Sequence, residues 1–273
     1  MWKSEFINKL FAKNVEDVRV DEALDIKSKN IPPKLYRYRK CNSEEIDTIL
    51  NGDIWLSPVS ELNDPFECMI KMGIPSYLER RTKLDGDLTP ELRKKIEKTI
   101  RDNYSELKKA MDIFKKRIYI CCFSESKDSK LMWSHYADSH KGFCIEYDFN
   151  SEYTEEGLKC SLFPVIYGEE IFDIVPYAFE KNQNRLVHIH IAMFKEISWK
   201  YEKEWRLIYT EALQQGRGNK KGPVITAIYL GAKIDENDKQ ILMNIANEYD
   251  ISVYQMEIED YNLNAKLIQK GTN

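Results

Sequence analysis

Residues 117–126, RIYICCFSES, constrain the fold more tightly than any other stretch of this 273-residue chain. The run is continuously apolar and lacks the alternation of a half-solvated strand. It therefore predicts a central strand buried on both faces and ending in a serine-rich tip. Strand-like and helix-like segments surround it, with no repeat, linker or low-complexity tract. The fold class that follows is α+β: a central mixed β-sheet with a helical insertion and a C-terminal strand–helix–strand.

Residues 1–30 read as an N-terminal helical leader, and 31–273 as a single α+β domain with the helical insertion at 75–117. Pro32-Pro33 ends any helix and launches KLYRYRK (34–40) as a strand. Leu35, Arg37 and Arg39 share one face of it; Tyr36, Tyr38 and Lys40 share the other. Asn42-Ser43 caps the helix EEIDTILNG, which closes at Gly52. DIWLSPV is a second strand ending at Ser57-Pro58. In the loop SELNDPFE (60–67), Asn63, Asp64 and Pro65 form a turn anchored by Leu62 and Phe66. Within the insertion Thr89 caps a helix that Pro90 opens. Leu92, Ile96, Ile100, Leu107, Met111 and Phe114 then recur at helical spacing, with the basic residues between them as a solvated face.

KLMWSHYADSHKG reads as a short helix closed by Gly142 and FCIEYDF (143–149) as a strand, with CSLFPVIY (160–167) pairing near it. Pro176 opens a long helix through about Glu196. QQGRGNKKG (214–222) is a flexible loop. TAIYLGAK, DENDKQILMNIANEYD and ISVYQMEI form strand, helix and strand, a parallel crossover at one edge.

A net charge of −4 and a pI near 5.8 argue against a protein built to coat nucleic acid. No apolar run approaches the roughly 20 residues of a membrane helix, and the N-terminus lacks the pattern of a secretory signal. The six cysteines show no CxxC spacing. Cys121, Cys122 and Cys144 sit in apolar strands, which suits reduced thiols and places the chain in the cytoplasm. No metal site is expected, because a separation of two residues points His188 and His190 apart on a helix.

EISWKYEKEWRLIYT (196–210) concentrates the chemistry. Alternation puts Glu202, Glu204 and Arg206 on one strand face. They are either an edge with an Arg–Glu pair or active-site carboxylates held by a tryptophan shelf. Three further clusters lie at strand ends, where open sheets place ligand sites. These are Arg37/Arg39; Ser57 with Asn63-Asp64-Pro65-Phe66-Glu67; and Ser124/Ser126 with Trp133, His135 and Tyr136. The arginines also serve as cross-strand partners for Glu202 or Glu204, and Trp133 and Tyr136 also read as core. GxGxxG, GxxxxGK[ST], GxSxG and HExxH are all absent.

LYRYR, LSPVSELNDPFE, CFSESKDSKLMWSHYADSHKGFCIEYD and WKYEKEWRLI resemble, in that order, a widespread bacterial family catalogued as a domain of unknown function. That association suggests a toxin or phage-defence effector. A more distant resemblance is to the Arg–Ser–Glu class of ADP-ribosyltransferases, and it implies NAD as the nucleotide substrate with an acceptor macromolecule unidentified. It also implies that Arg37 holds the diphosphate, Ser124 orders the site, Glu204 grips the nicotinamide ribose and Glu202 activates the acceptor. Ser57 competes for the serine role. Arg39, Trp133, His135 and Tyr136 join the nucleotide-binding set, with Tyr136 or Trp133 stacking on a ring. The alternatives are a metal-dependent phosphodiesterase or nucleotide hydrolase using Asp64, Glu67, Glu146 or His135, and a non-catalytic nucleotide-sensing module.

Overall fold

The computed structural model describes residues 2–178, 182–210 and 218–271. The leader forms helices α1 (Trp2–Leu10) and α2 (Val20–Ser28), followed by β1 (Lys34–Arg39), α3 (Ser43–Leu50) and β2 (Asp53–Pro58). The Asn42 side chain caps α3 by accepting from the Glu45 amide at 2.9 Å. A short β3 (Ile70–Lys71) leads into the insertion, α4 (Ile74–Asp85), α5 (Pro90–Asp102) and α6 (Tyr104–Arg117). Then come β4 (Ile118–Ser124), α7 (Lys130–Tyr136), β5 (Phe143–Asp148), α8 (Glu156–Ser161), β6 (Leu162–Pro164) and β7 (Ile166–Gly168). They are followed by β8 (Phe172–Asp173), α9 (Val175–Ala178), α10 (Val187–Met193), β9 (Phe194–Glu196) and β10 (Glu204–Thr210). The chain ends in β11 (Gly218–Lys221), β12 (Val224–Leu230), α11 (Glu236–Glu248), β13 (Ser252–Glu259) and β14 (Asn262–Gln269).

The apolar strand is central, as its composition requires. Along one edge β4 pairs with β10 over its whole length, from Ser124↔Glu204 to Ile118↔Thr210. Its other edge is shared by two strands. Ser124 pairs with Tyr36 of β1, while Ile120 and Tyr119 pair with Ser57 and Pro58 of β2. The open mixed sheet therefore forks opposite Cys121–Phe123. One arm carries β2 and β11, and the other runs β1-β5-β12-β13-β14. Apolar side chains fill both faces: Leu35, Phe123, Trp205 and Leu207 pack toward α3, α8 and α11. On the opposite face Ile120, Phe163 and Ile208 meet α1, α2 and α10, and Tyr38, Cys144 and Tyr229 meet α7. No helix among the described residues is long and apolar enough to cross a membrane.

Four local expectations change. Residues 160–167 do not lie beside β5. Pro164 has no N–H to extend a ladder, so the segment splits into β6, which pairs with β10, and β7, which pairs with β9. The long helix from Pro176 is not continuous: α9 ends at Ala178, residues 179–181 lie outside the described ones, and the chain re-enters helix at Val187. Asn184 holds the intervening turn, donating to the carbonyls of Leu10 (2.8 Å) and Ala12 (3.0 Å) and accepting from the Leu186 amide. Of the expected loop at 214–222, Gly218–Lys221 forms a strand on β2 and residues 214–217 lie outside the described ones. Phe66 does not anchor its loop; it is 68% exposed. The parallel β12–α11–β13 crossover is present, with Asp235 as the helix cap. An antiparallel β14 follows it that periodicity did not reveal.

Gly142 joins this frame to the fork. A Cβ there would lie 2.0 Å from the Arg39 carbonyl oxygen at the end of β1. Gly142→Ala is expected to cost about 1–3 kcal/mol, the usual penalty for overpacking, measured by urea denaturation.

Candidate functional site

At the start of β10, on the other edge of β4 from the fork, five buried ionisable side chains meet. The turn Ile197–Glu202 ends in Lys203, whose φ of +46° breaks the helical path so that β10 begins at Glu204. The tip of β4 fastens this junction. The Ser124 hydroxyl donates to the Glu202 carbonyl (2.6 Å), and the Glu125 amide donates to the Lys203 carbonyl (3.1 Å). Arg206, 0% exposed, grips Glu204 through Nε (2.7 Å) and Nη2 (3.1 Å). It also reaches Glu67 (2.8 Å) and the Ala192 carbonyl (2.8 Å). Lys195 of β9 donates to Glu202 (2.5 Å) and Glu204 (2.9 Å), and lies 3.2 Å from Glu67. The other oxygen of Glu202 accepts from the Tyr136 hydroxyl at 2.6 Å.

The two neighbouring glutamates diverge in acidity. Burial pushes the Glu202 carboxyl above the usual glutamate range, and the charge on Glu204 adds to that. Burial acts on Glu204 in the same sense, yet Arg206 and then Lys195 overcome it and hold that carboxyl well below the range. Burial also works against the charge on Lys195, but Glu204 in particular keeps the ammonium protonated. The surroundings of the two carboxylates thus drive their acidities apart.

Glu67, Lys195, Glu202, Glu204 and Tyr136 line a cavity of about 200 Å³ together with Arg37, Arg39, Ser57, Asn63 and Cys122. Arg37 is half-buried, and its guanidinium has one hydrogen bond among the described residues, a long one across the fork to the Trp55 carbonyl (3.4 Å). Its remaining donors are available to an anion. Arg39 is occupied by Glu45, through Nε at 3.0 Å and Nη1 at 3.1 Å. Neither arginine pairs with Glu202 or Glu204.

Of the residues singled out from sequence, Glu202, Glu204, Arg37, Arg39, Ser57 and Tyr136 line this one cavity. Three do not. Ser124 is buried behind it, its hydroxyl engaged with the Glu202 carbonyl and the Ser126 amide. It therefore positions Glu202 and does not face the cavity. Trp133 is 0% exposed. Its ring packs edge-on against Tyr38, and its Nε1 donates to the Lys127 carbonyl, so it is core and no stacking platform. His135 lies outside the cavity wall, sharing a hydrogen bond with Tyr201 (3.1 Å). Lys195 escaped the sequence reading, because HIHIAMFKEIS looks like the end of a helix. Its signal is a lone cation in an apolar run.

The acids proposed for a metal-dependent alternative do not converge. Glu67 binds Arg206 and Lys195. Glu146 accepts from Thr226 and Tyr229 in another part of the sheet, and Asp64 accepts from the Phe66 amide in its own turn. Where Glu67, Glu202 and Glu204 do approach one another, the Lys195 ammonium sits among them in the place of a cation. Among the described residues no group of three His, Cys, Asp or Glu is arranged to hold a metal ion.

Residues 132–207 match the family model described as a protein of unknown function, DUF2971. The match takes in the MWSHYAD, KGFCIEYD and EKEWRL segments; LYRYR and LNDPFE lie outside it. The chain matches no curated protein and no solved structure, so the resemblance to ADP-ribosyltransferases gains no support from comparison.

Glu204→Gln leaves the buried Arg206 short of charge and is expected to destabilise the fold by about 3–5 kcal/mol. Because the folded-state pKa of Glu204 is depressed, its stabilisation is complete above the ordinary value of 4.5 and is lost as pH falls below it. Denaturant titrations between pH 7 and pH 3 should show a shallower acid decline in the variant than in wild type. Glu202 contributes with the opposite sign, favouring the fold below its ordinary pKa and losing that contribution as pH rises through its raised one.

Proposed function

We propose that the chain is an enzyme that cleaves NAD at the nicotinamide glycosidic bond and passes ADP-ribose to an acceptor, with the forked cavity as its active site. One observation carries this reading. Arg37, with donors to spare, and Glu202, with a raised pKa, line the same small cavity. Arg37 binds a phosphate of the dinucleotide. As the C–N bond breaks, its electron pair stays on the nicotinamide nitrogen and the ribose carbon becomes oxocarbenium-like. Glu202 counters that charge and then takes the proton lost by the acceptor nucleophile.

The roles differ from those the resemblance implied. Glu204 is committed to the permanent charge of Arg206 as well as to Lys195, so it organises the site; Glu202, equally buried but held by Lys195 and a neutral phenol, is the one assigned to meet the substrate. Ser124 acts at one remove, through the backbone of Glu202. The acceptor is a macromolecule or small nucleophile outside the cavity. All six cysteines are free, which fits work in the reducing cytoplasm.

Purified protein incubated with NAD and a cell lysate should release nicotinamide, followed by chromatography. Glu202→Gln, compared at a temperature where it remains folded, should lower that rate by roughly two to three orders of magnitude. Undiminished release by that variant, or none by wild type, removes the assignment. Since Glu202 acts as the ionised base, kcat/KM should fall as pH drops through its raised pKa. That acid limb should lie above the 4.5 of an ordinary glutamate and be absent from the residual rate of Glu202→Gln.

A further inference from the structure

The helical insertion holds a second hollow. Helices α4 and α5 contain no buried residue, although α5 is amphipathic. Leu92, Ile96 and Ile100 recur on one face of it, and Lys94, Lys98 and Arg101 lie on the other. A stripe of this kind ordinarily faces a core. Here it lines a cavity of about 470 Å³, together with Met72, which follows β3, Tyr77 of α4 and Tyr104 of α6. Leu92 is left 39% exposed. The volume falls within the roughly 300–1,000 Å³ of pockets that enclose small organic ligands. None of the lining residues belongs to the forked cavity.

The polar groups in the lining decide what kind of ligand fits. Lys71 is paired with Glu170. The Thr99 hydroxyl donates to the Lys95 carbonyl (2.9 Å), and the Asn103 amide donates to the Thr99 carbonyl (2.8 Å), so both are turned onto their own helix. That leaves Lys95. Its ammonium has no hydrogen bond and no carboxylate partner among the described residues, and the side chain is exposed, so its charge stands at the opening. The walls are mainly carbon, and the one uncommitted charge at their rim is positive.

We infer that this hollow binds an amphipathic monoanion, a free aliphatic carboxylate with a single medium-length chain. The chain lies along Leu92, Ile96 and Ile100, and the carboxylate pairs with Lys95. A hollow walled by three helices takes one chain from water, whereas a helix seated on a bilayer turns its apolar face outward. The site does not rest on the proposed reaction, since the two cavities share no residue.

Calorimetric titration of the full chain with hexanoate, octanoate and decanoate, each below its micelle concentration, tests this. One equivalent should bind per chain, and affinity should rise about fourfold for each added CH2. Decylammonium should bind about fivefold more weakly than decanoate. The overall charge of −4 favours the cation elsewhere on the surface, so a preference for the anion reports the local site. Lys95→Glu should reverse that preference. Ile100→Trp fills the hollow and should abolish decanoate binding while the circular dichroism of wild type is retained. Leu92→Trp, at an exposed position of the rim, makes the same test should Ile100→Trp not fold. Three results overturn the inference: no saturable binding of decanoate by wild type, equal affinities for decanoate and decylammonium, or decanoate binding unchanged in whichever tryptophan variant folds.

Discussion

A guanidinium sealed inside the protein sets the terms for everything around it. Arg206 sits mid-strand at 0% exposure, and an isolated charge there would be prohibitive. The sequence supplies Glu204 two residues earlier on the same face, Glu67 from a loop some 140 residues away, and the Ala192 carbonyl at the end of α10. Lys195 then crosses between all three carboxylates. Such an arrangement is no better for stability than apolar packing of the same volume, and losing one member is far worse than never having had it. What it does supply is position. The NDPFE loop, β9 and the start of β10 are held to one another by directional bonds that apolar contact would not specify.

The cavity follows from that fixation together with the divided edge of β4. The edge of β4 is paired first with β2 and then with β1, and between the two Cys121–Phe123 have no strand partner on that side among the described residues. Arg37 spans the gap to Trp55 without filling it. Sheet topology brings a cation to the gap, and the ion cluster brings carboxylates from the other strand edge.

Much of this was legible from the chain. Apolar continuity placed β4 at the centre, and alternation in KLYRYRK put Arg37 and Arg39 on a common face. Caps at Asn42 and Thr89 marked helix starts correctly. Glu202, Glu204 and Arg206 were recognisable as a group, because acids beside aromatic bulk need partners. What escaped was set by tertiary contact. Lys195 reads as the end of a helix, and only the Asn184 turn and the pairing of β7 with β9 turn it inward. Trp133 and Tyr136 have the same sequence credentials as ring platforms. One is sealed under Tyr38 and the other opens on the cavity, a difference of helical phase on α7 that no local pattern decides. Ser124 looked like a site hydroxyl and proved to be a brace for the backbone beside it.

Glu202 and Glu204 show how two identical side chains, two residues apart, acquire different chemistry. Both touch the same ammonium, so Lys195 does not distinguish them. Their second oxygens do: Glu204 meets the guanidinium of Arg206, a permanent charge, whereas Glu202 meets the phenol of Tyr136, a neutral donor. A charge offsets burial and keeps a carboxylate ionised; a neutral hydroxyl orients the carboxylate but leaves most of the burial cost in place. The αL turn at Lys203 separates the two environments, since it ends one backbone path at Glu202 and begins the strand at Glu204. A proton-transferring group has to be oriented yet remain able to change charge near neutral pH. Of the pair, the glutamate on the tyrosine side of that turn is the one oriented by a neutral donor and held above the usual carboxylate range.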